Sequence, residues 1–330
     1  MKQFSYSRAV DAPNAVQTVS ASRETKFLAG GTNLIDLMKE GVENPSALVD
    51  IVRLNLKQIK NLSSRISIGA LAKNTDTANH PLIRQNYPLL SQAILAGASQ
   101  QIRNMATNGG NLLQRTRCPY FYEVTMPCNK RAPGTGCGAL EGINRMHAIF
   151  GWSEKCVAVY PSDMSIALAA LDAVVNVQGA NGQERSIPFT NFHRLPGDNP
   201  EKDTNLNHGE LITTIELPKN NFAGKSYYLK VRDRASYAFA LVSVAAGLEM
   251  DGSRIKQARV AMGGVAHKPW RATEAEKFLI GKTADEKNFK QAAEAEMQQA
   301  RPLEHNEFKV DLGRRAIVHA LQKAMNGGRT

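Results

Sequence analysis

The chain has 330 residues but only four cysteines, Cys118, Cys128, Cys137 and Cys156, and all of them fall within 39 consecutive positions. From Cys118 to about Gly151 the sequence is rich in Pro, Gly, Asn and charge without a sustained apolar period, so it reads as a long loop. Long loops inside domains are uncommon unless they serve a function, and a hydrophilic loop is the wrong place for inert core thiols. The segment is therefore expected to bind something or to be cross-linked. The 9, 8 and 18 residues between successive cysteines do not match the Cys-x-x-Cys pairs of common zinc sites or bacterial ferredoxins. Structural zinc, two disulfides and a cluster held by four thiolates all remain open on spacing. Disulfides would need an oxidising compartment, and the seven histidines are spread along the chain with no paired zinc motif.

Two glycine pairs lie upstream. Lys26-Phe27-Leu28-Ala29 reads as a short buried strand running into Gly30-Gly31-Thr32-Asn33, after which Leu34, Leu37 and Met38 recur at helical spacing until Gly41. Pro88 to about Arg103 reads as a helix leading into a second turn, Thr107-Asn108-Gly109-Gly110-Asn111. Paired glycines let a backbone approach a ligand closely and turn consecutive N–H groups toward phosphate oxygens. Two such turns after two different elements suggest two walls of one site, although either pair alone is simply a turn. Neither matches Gly-x-Gly-x-x-Gly, so a Rossmann site is not supported.

The remaining pattern is α+β. Ala47–Ile51 and Arg65–Gly69 read as strands, Pro161-Ser162-Asp163 starts a helix with Met164, Ala167, Leu168 and Leu171 on its apolar face, and Val174–Val177 and Ser186-Ile187 flank a hairpin turn. After a break near Pro218–Asn221, strands at about 238–250 and 255–262 are joined by Asp251-Gly252, a strong hairpin signal. Helical periods at 275–280, 285–300 and 312–325 complete a small sheet covered by helices. This length implies two or three units, and 42% hydrophobic with 22% charged residues is ordinary globular usage.

A net charge of +11 suits nucleic acid, an anionic surface or an acidic protein. Its basic residues are dispersed and accompany no nucleic-acid-binding signature, so nucleic acid is not expected as a partner. A zinc-stabilised basic binding module is the alternative of a different class. No apolar run approaches the roughly 20 residues that span a bilayer, so membrane insertion is not expected. The first eight residues show no apolar h-region and no twin arginine, so the chain is expected to carry no export signal of its own.

Phe27 to Leu34, Ile102 to Leu112, Pro161-Ser162-Asp163, and the stretch from Lys230 through Gly263-Gly264-Val265-Ala266 to Pro269-Trp270-Arg271-Ala272 together resemble the FAD-binding subunits of the xanthine dehydrogenase family of molybdenum hydroxylases. Within that family, the cysteine loop and Leu112 to Tyr122 are similar to the flavin subunit of three-subunit periplasmic aldehyde oxidoreductases, which carries an additional 4Fe-4S cluster. The flavin subunit of 4-hydroxybenzoyl-CoA reductase has a related insert and is the alternative within the family.

The resemblance implies a bipartite FAD-binding domain of the vanillyl-alcohol oxidase type at residues 1–219, in two subdomains of about 1–56 and 57–219 with the cysteine loop at 118–156. A smaller C-terminal α+β domain would follow at 220–330. It implies that Lys26, Phe27, Leu28, Ala29, Gly30, Gly31, Thr32, Asn33 and Leu34 wrap the FAD pyrophosphate, that Thr107, Gly110 and Asn111 form the second wall, and that Asp163, Ile212 and Lys230 also touch the cofactor. The bland readings are a first-turn helix carboxylate for Asp163 and a solvated charge for Lys230. Beside a flavin site the soft-metal reading tips toward iron, with Cys118, Cys128, Cys137 and Cys156 as ligands. No acid–base residue is expected to be catalytic. The implied partners are a large subunit holding the molybdenum cofactor and a small subunit holding 2Fe-2S clusters. The implied location is the periplasm, reached with a signal-bearing partner, with the cytoplasm as the alternative.

Overall fold

The computed structural model describes residues 1–328 and contains three sheets. Strands β1 (Ser5–Arg8), β2 (Thr25–Leu28) and β3 (Ala47–Asp50) form a parallel sheet in the order β1-β3-β2. Strands β4 (Ile59–Leu62), β5 (Arg65–Gly69), β6 (Val174–Gln178), β7 (Glu184–Pro188) and β8 (Leu211–Pro218) form an antiparallel sheet in the order β4-β5-β8-β6-β7. The last sheet, β12-β11-β10-β9, is built from β9 (Ser226–Val231), β10 (Val242–Asp251), β11 (Arg254–Gly263) and β12 (Trp270–Arg271). Among the described residues no helix is long and apolar enough to cross a membrane.

The long apolar run of β10 is explained by burial on both faces, because successive side chains on a strand point to opposite sides. Val244 and Ala246, with Val260 and Met262 of β11, face the helices Thr273–Leu279, Glu286–Met297 and Phe308–Met325. Ala245 and Ala261 face the other way and share a core with β5, β6, β8 and the helices Pro88–Ala96 and Asp163–Ala170. All eight residues of Asp163–Ala170 are buried. A helix covered all round is one packed between layers, and this one sits between the middle and last sheets.

The Asp251-Gly252 turn is present, with Gly252 at φ +56°. The helix expected from Pro88 to about Arg103 is instead two, Pro88–Ala96 and Gln100–Met105, parted at Ala98 with φ +50°. The break frees backbone carbonyls for side chains: Ala96 accepts from Lys230 Nζ at 3.1 Å and Gly97 from Arg103 at 2.6 Å. The cysteine segment is irregular apart from the single turns Pro119–Tyr122 and Gly138–Glu141. Strands β1, β4, β8 and β12 lie outside the segments that the sequence pattern marks as strands.

The helix Thr273–Leu279 has no side-chain cap of its own. Glu296 supplies one from the neighbouring helix, its Oε2 accepting from the N–H groups of Glu274 and Ala275 at 3.0 and 3.2 Å, while Oε1 accepts from Trp270 Nε1 at 2.8 Å. Glu296 is fully buried, so its removal orphans three donors. Glu296→Ala is expected to destabilise the chain by about 2–4 kcal/mol in urea unfolding followed by tryptophan fluorescence. Glu296→Gln, which keeps an acceptor oxygen, should lose clearly less; equal losses would contradict the capping role.

Candidate functional site

β2 ends in the first glycine turn, and the turn can form only without side chains. Gly31 adopts φ +71°, and a Cβ at Gly30 would collide with the Met105 carbonyl oxygen. The turn is thereby pressed against the segment that enters the second glycine turn. Among the described residues, the N–H groups of Gly30, Gly31, Thr32 and Asn33 donate to no other group of the chain. Asn33 Oδ1 accepts from the Arg115 N–H at 2.9 Å, whereas its buried Nδ2 has no partner. Four consecutive free amides and an orphaned side-chain amide make a donor-rich edge of the kind that receives an anion.

The second turn differs. Residues Asn108–Leu112 form a helical turn capped by Thr107, whose Oγ1 accepts from Gly110 N–H at 3.2 Å. The N–H groups of Asn108, Gly109 and Asn111 donate to Ala72, Ala70 and Thr107 carbonyls at 3.0, 2.8 and 2.8 Å. Free amides are therefore found at the first glycine pair and not at the second, which offers close approach alone. The Asn111 side chain is also committed, donating to Asn74 Oδ1 at 2.7 Å and accepting from Ser162 Oγ at 2.6 Å and Gln114 Nε2 at 2.8 Å.

Two cavities of about 360 and 690 Å³ meet at Thr32, Asn33 and Gly110 and form one elongated cleft. The structure brings all the expected cofactor residues to its walls. Lys26 to Leu34, Thr107, Gly110 and Ile212 line the smaller lobe, and Asn111, Asp163 and Lys230 line the larger. Asp163 does open its helix, as the bland reading had it, but its carboxylate is paired, with Lys230 Nζ at 2.7 Å and the Tyr228 hydroxyl at 2.7 Å. Lys230 is not a solvated charge: its side chain is 5% exposed and is held by Asp163 and the Ala96 carbonyl. Burial, with the charge of Asp163, pushes the Tyr228 hydroxyl well above its ordinary value, so it stays a donor.

Sequence reasoning missed a line of charges along the smaller lobe. Lys26 pairs with Glu43 at 3.4 Å, Glu43 with Arg115 at 2.7 Å, Arg115 with Asp203 at 2.9 Å, and Asp203 with Lys130. Burial alone would raise the Asp203 carboxyl, but Lys130 and Arg115 hold it well below the usual carboxylate range. His267 lies 3.9 Å from Asp203, and burial pushes its imidazole down to about 3, which keeps it neutral. The only hint in the sequence was the short basic clusters Arg115-Thr116-Arg117 and Lys130-Arg131.

All four cysteines line one small cavity between the loop's turns, together with Lys130. None is in a disulfide, so the disulfide reading finds no support. Cys128 and Cys137 face each other in an isolated antiparallel bridge, and His147 Nε2 lies 3.1 Å from Cys118 Sγ. Burial raises the Cys118 thiol to about 12 and that of Cys156 to about 11. Among the described residues no group of three or more His, Cys, Asp or Glu is gathered tightly enough to hold a metal ion. The space between the thiols is about 10 Å³, room for roughly one water-sized sphere. The donor chemistry fits a thiolate-held group, and the loop must widen to admit one.

A family profile described as the FAD binding domain in molybdopterin dehydrogenase matches residues 2–220, and one described as the CO dehydrogenase flavoprotein C-terminal domain matches residues 227–324. The chain is 48% identical to the aldehyde oxidoreductase FAD-binding subunit PaoB of Escherichia coli K12, over 98% of this chain and 99% of that one. It is 31% identical to the glyceraldehyde dehydrogenase medium chain of Sulfolobus acidocaldarius, over 91% and 89%. Among solved structures, quinoline 2-oxidoreductase from Pseudomonas putida 86 superposes with a TM-score of 0.76 at 25% identity, covering 99% of both chains. CO dehydrogenase from Oligotropha carboxidovorans shares the fold with a TM-score of 0.78 at 22% identity, also covering 99% of both. The α+β architecture, the cleft with its single donor-rich edge and these matches along nearly the whole length place the chain in the family of FAD-binding medium subunits of the xanthine dehydrogenase and CO dehydrogenase type.

Proposed function

We propose that this chain is the electron-transferring flavin subunit of a three-subunit, molybdenum-dependent aldehyde oxidoreductase, and that it holds a 4Fe-4S cluster as well as FAD. The observation that carries the reading is the 48% identity to an aldehyde oxidoreductase FAD-binding subunit over nearly the full length of both chains. The gathering of four free thiols on one cavity supports the cluster.

In this reading the free N–H groups of Gly30 to Asn33, with Asn33 Nδ2, receive the FAD pyrophosphate, and Lys26 and Arg115 add positive charge beside it. The second wall confines the cofactor without competing donors. The Asp163–Lys230 pair fixes the larger lobe, where the flavin ring would lie. Bound there, FAD supplies a carrier that takes electrons singly and can release them as a pair. Cys118, Cys128, Cys137 and Cys156 would hold the cluster, which adds a one-electron station. The chain itself contributes binding, orientation and electrostatics, while aldehyde oxidation belongs to a large subunit with the molybdenum cofactor and delivery of electrons to a small subunit with 2Fe-2S clusters. A periplasmic location, reached with a signal-bearing partner, is part of the proposal.

Protein purified anaerobically should be yellow-brown and contain about one FAD and about four irons per chain. Zinc in place of iron, in a colourless protein, would sink the cluster assignment and favour the binding-module reading. Cys128→Ser is expected to lower the iron content severalfold, measured by metal analysis.

At Gly110 a Cβ would stand 2.9 Å from Thr107 Oγ1. Gly110→Val should therefore push into the cleft and weaken FAD binding about tenfold or more, equivalent to about 1.4 kcal/mol. Full FAD content after gel filtration of that variant would remove Gly110 from the site.

A further inference from the structure

The cysteine cavity and the cleft are joined by the line of charges. Lys130, on the cysteine loop, lines the thiol cavity, and its side chain is 1% exposed. Its ammonium pairs with Asp203 and donates to the Pro200 carbonyl at 2.8 Å. Asp203, Arg115, Glu43 and Lys26 continue the line along the wall of the smaller lobe. A second contact runs in parallel: Leu37, on the helix that follows the first glycine turn, packs in one apolar cluster with Phe121 and Cys128, and Tyr122 donates to Asp36 at 3.0 Å.

We propose that Lys130 is a positioning residue through which occupancy of the four-cysteine cavity sets the affinity of the cleft for FAD. The inference rests on the reading that the thiols hold an iron–sulfur cluster and the cleft holds FAD. The line carries three cations, Lys26, Arg115 and Lys130, against two carboxylates, Glu43 and Asp203, and so has a surplus of one positive charge. Withdrawal of Lys130 leaves it neutral, with Asp203 and Glu43 sharing Arg115 beside a site for an anionic pyrophosphate. Between Cys118 and Cys156 the loop has only two single-turn helices and is otherwise held by local hydrogen bonds, among them Asn129 Oδ1 accepting from the Gly134 and Gly136 N–H groups at 3.0 and 2.9 Å, so a group that ties the four thiols together adds a cross-link around Lys130. A cluster cross-links the loop and holds the ammonium against Asp203; its loss loosens both. Because linkage is reciprocal, FAD must strengthen retention of the cluster by the same factor.

The test uses the full-length protein, purified anaerobically with any subunits that accompany it. FAD dissociation constants are measured by flavin fluorescence before and after iron removal with a chelator. In the wild type, iron removal should weaken FAD about tenfold or more, and added FAD should slow iron loss. Lys130→Met should bind FAD more weakly even when loaded, and Asp203→Asn no more weakly than wild type. Both should show less than about a twofold difference between loaded and stripped forms, while Lys130→Arg, which keeps the charge, retains most of the dependence. Equal affinities for loaded and stripped wild type would overturn the coupling, as would full dependence surviving in both Lys130→Met and Asp203→Asn. A wild-type protein that carries FAD but no iron would instead overturn the cluster reading on which the inference rests.

Discussion

The cleft depends on a contact in which nothing but glycine fits. Gly30 lies so close to the backbone of Met105 and Ala106 that a single Cβ would collide with the Met105 carbonyl, and this approach sets the distance between the parallel sheet and the middle unit. The receiving backbone is itself pinned: Lys73 Nζ donates to the Met105 carbonyl at 2.8 Å and the Asn74 N–H to that of Ala106 at 2.9 Å. The turn is thus pressed onto a rigid surface while its own amides remain free. The elements that build the cleft come from separate parts of the chain, and this contact brings them into register.

Charge then shapes what the cleft can accept. Buried ions are expensive to desolvate, and a buried pair is tolerated only when its partners are well placed. The alternation of Lys26, Glu43, Arg115, Asp203 and Lys130 meets that condition without complete neutralisation. The Asp163–Lys230 pair meets it in the other lobe, with Tyr228 and the Ala96 carbonyl satisfying the remaining valences. In the larger lobe the loss of either partner would leave the other buried and uncompensated, whereas in the smaller lobe Glu43 and Asp203 are each flanked by two cations and share Arg115.

What was legible in the sequence were features whose cause is local. A strand running into Gly30-Gly31, the Asp251-Gly252 hairpin and the helix opened by Ser162 and Asp163 all follow from neighbouring residues and appear as expected. The break at Ala98 was not legible, because what makes use of it is Lys230, 134 positions from the Ala96 carbonyl it caps. Asp203 was invisible for the same reason, its partners Arg115 and Lys130 lying 88 and 73 positions away. The second glycine pair looked like the first, yet its amides are consumed by Ala70, Ala72 and Thr107, which only the packed structure brings near. For Lys230 the residues alone left a buried contact and a solvated charge both open, because a strand with several basic residues does not announce which one turns inward.

One consequence follows from the asymmetry of the two glycine turns. A ligand held by hydrogen bonds on one side only is anchored by that side and merely bounded by the other. The bounding wall can then change shape, polarity or access to solvent without loosening the anchor. In a cleft built this way one grip can be kept while the surroundings of a bound group vary, so attachment and reactivity become separately adjustable.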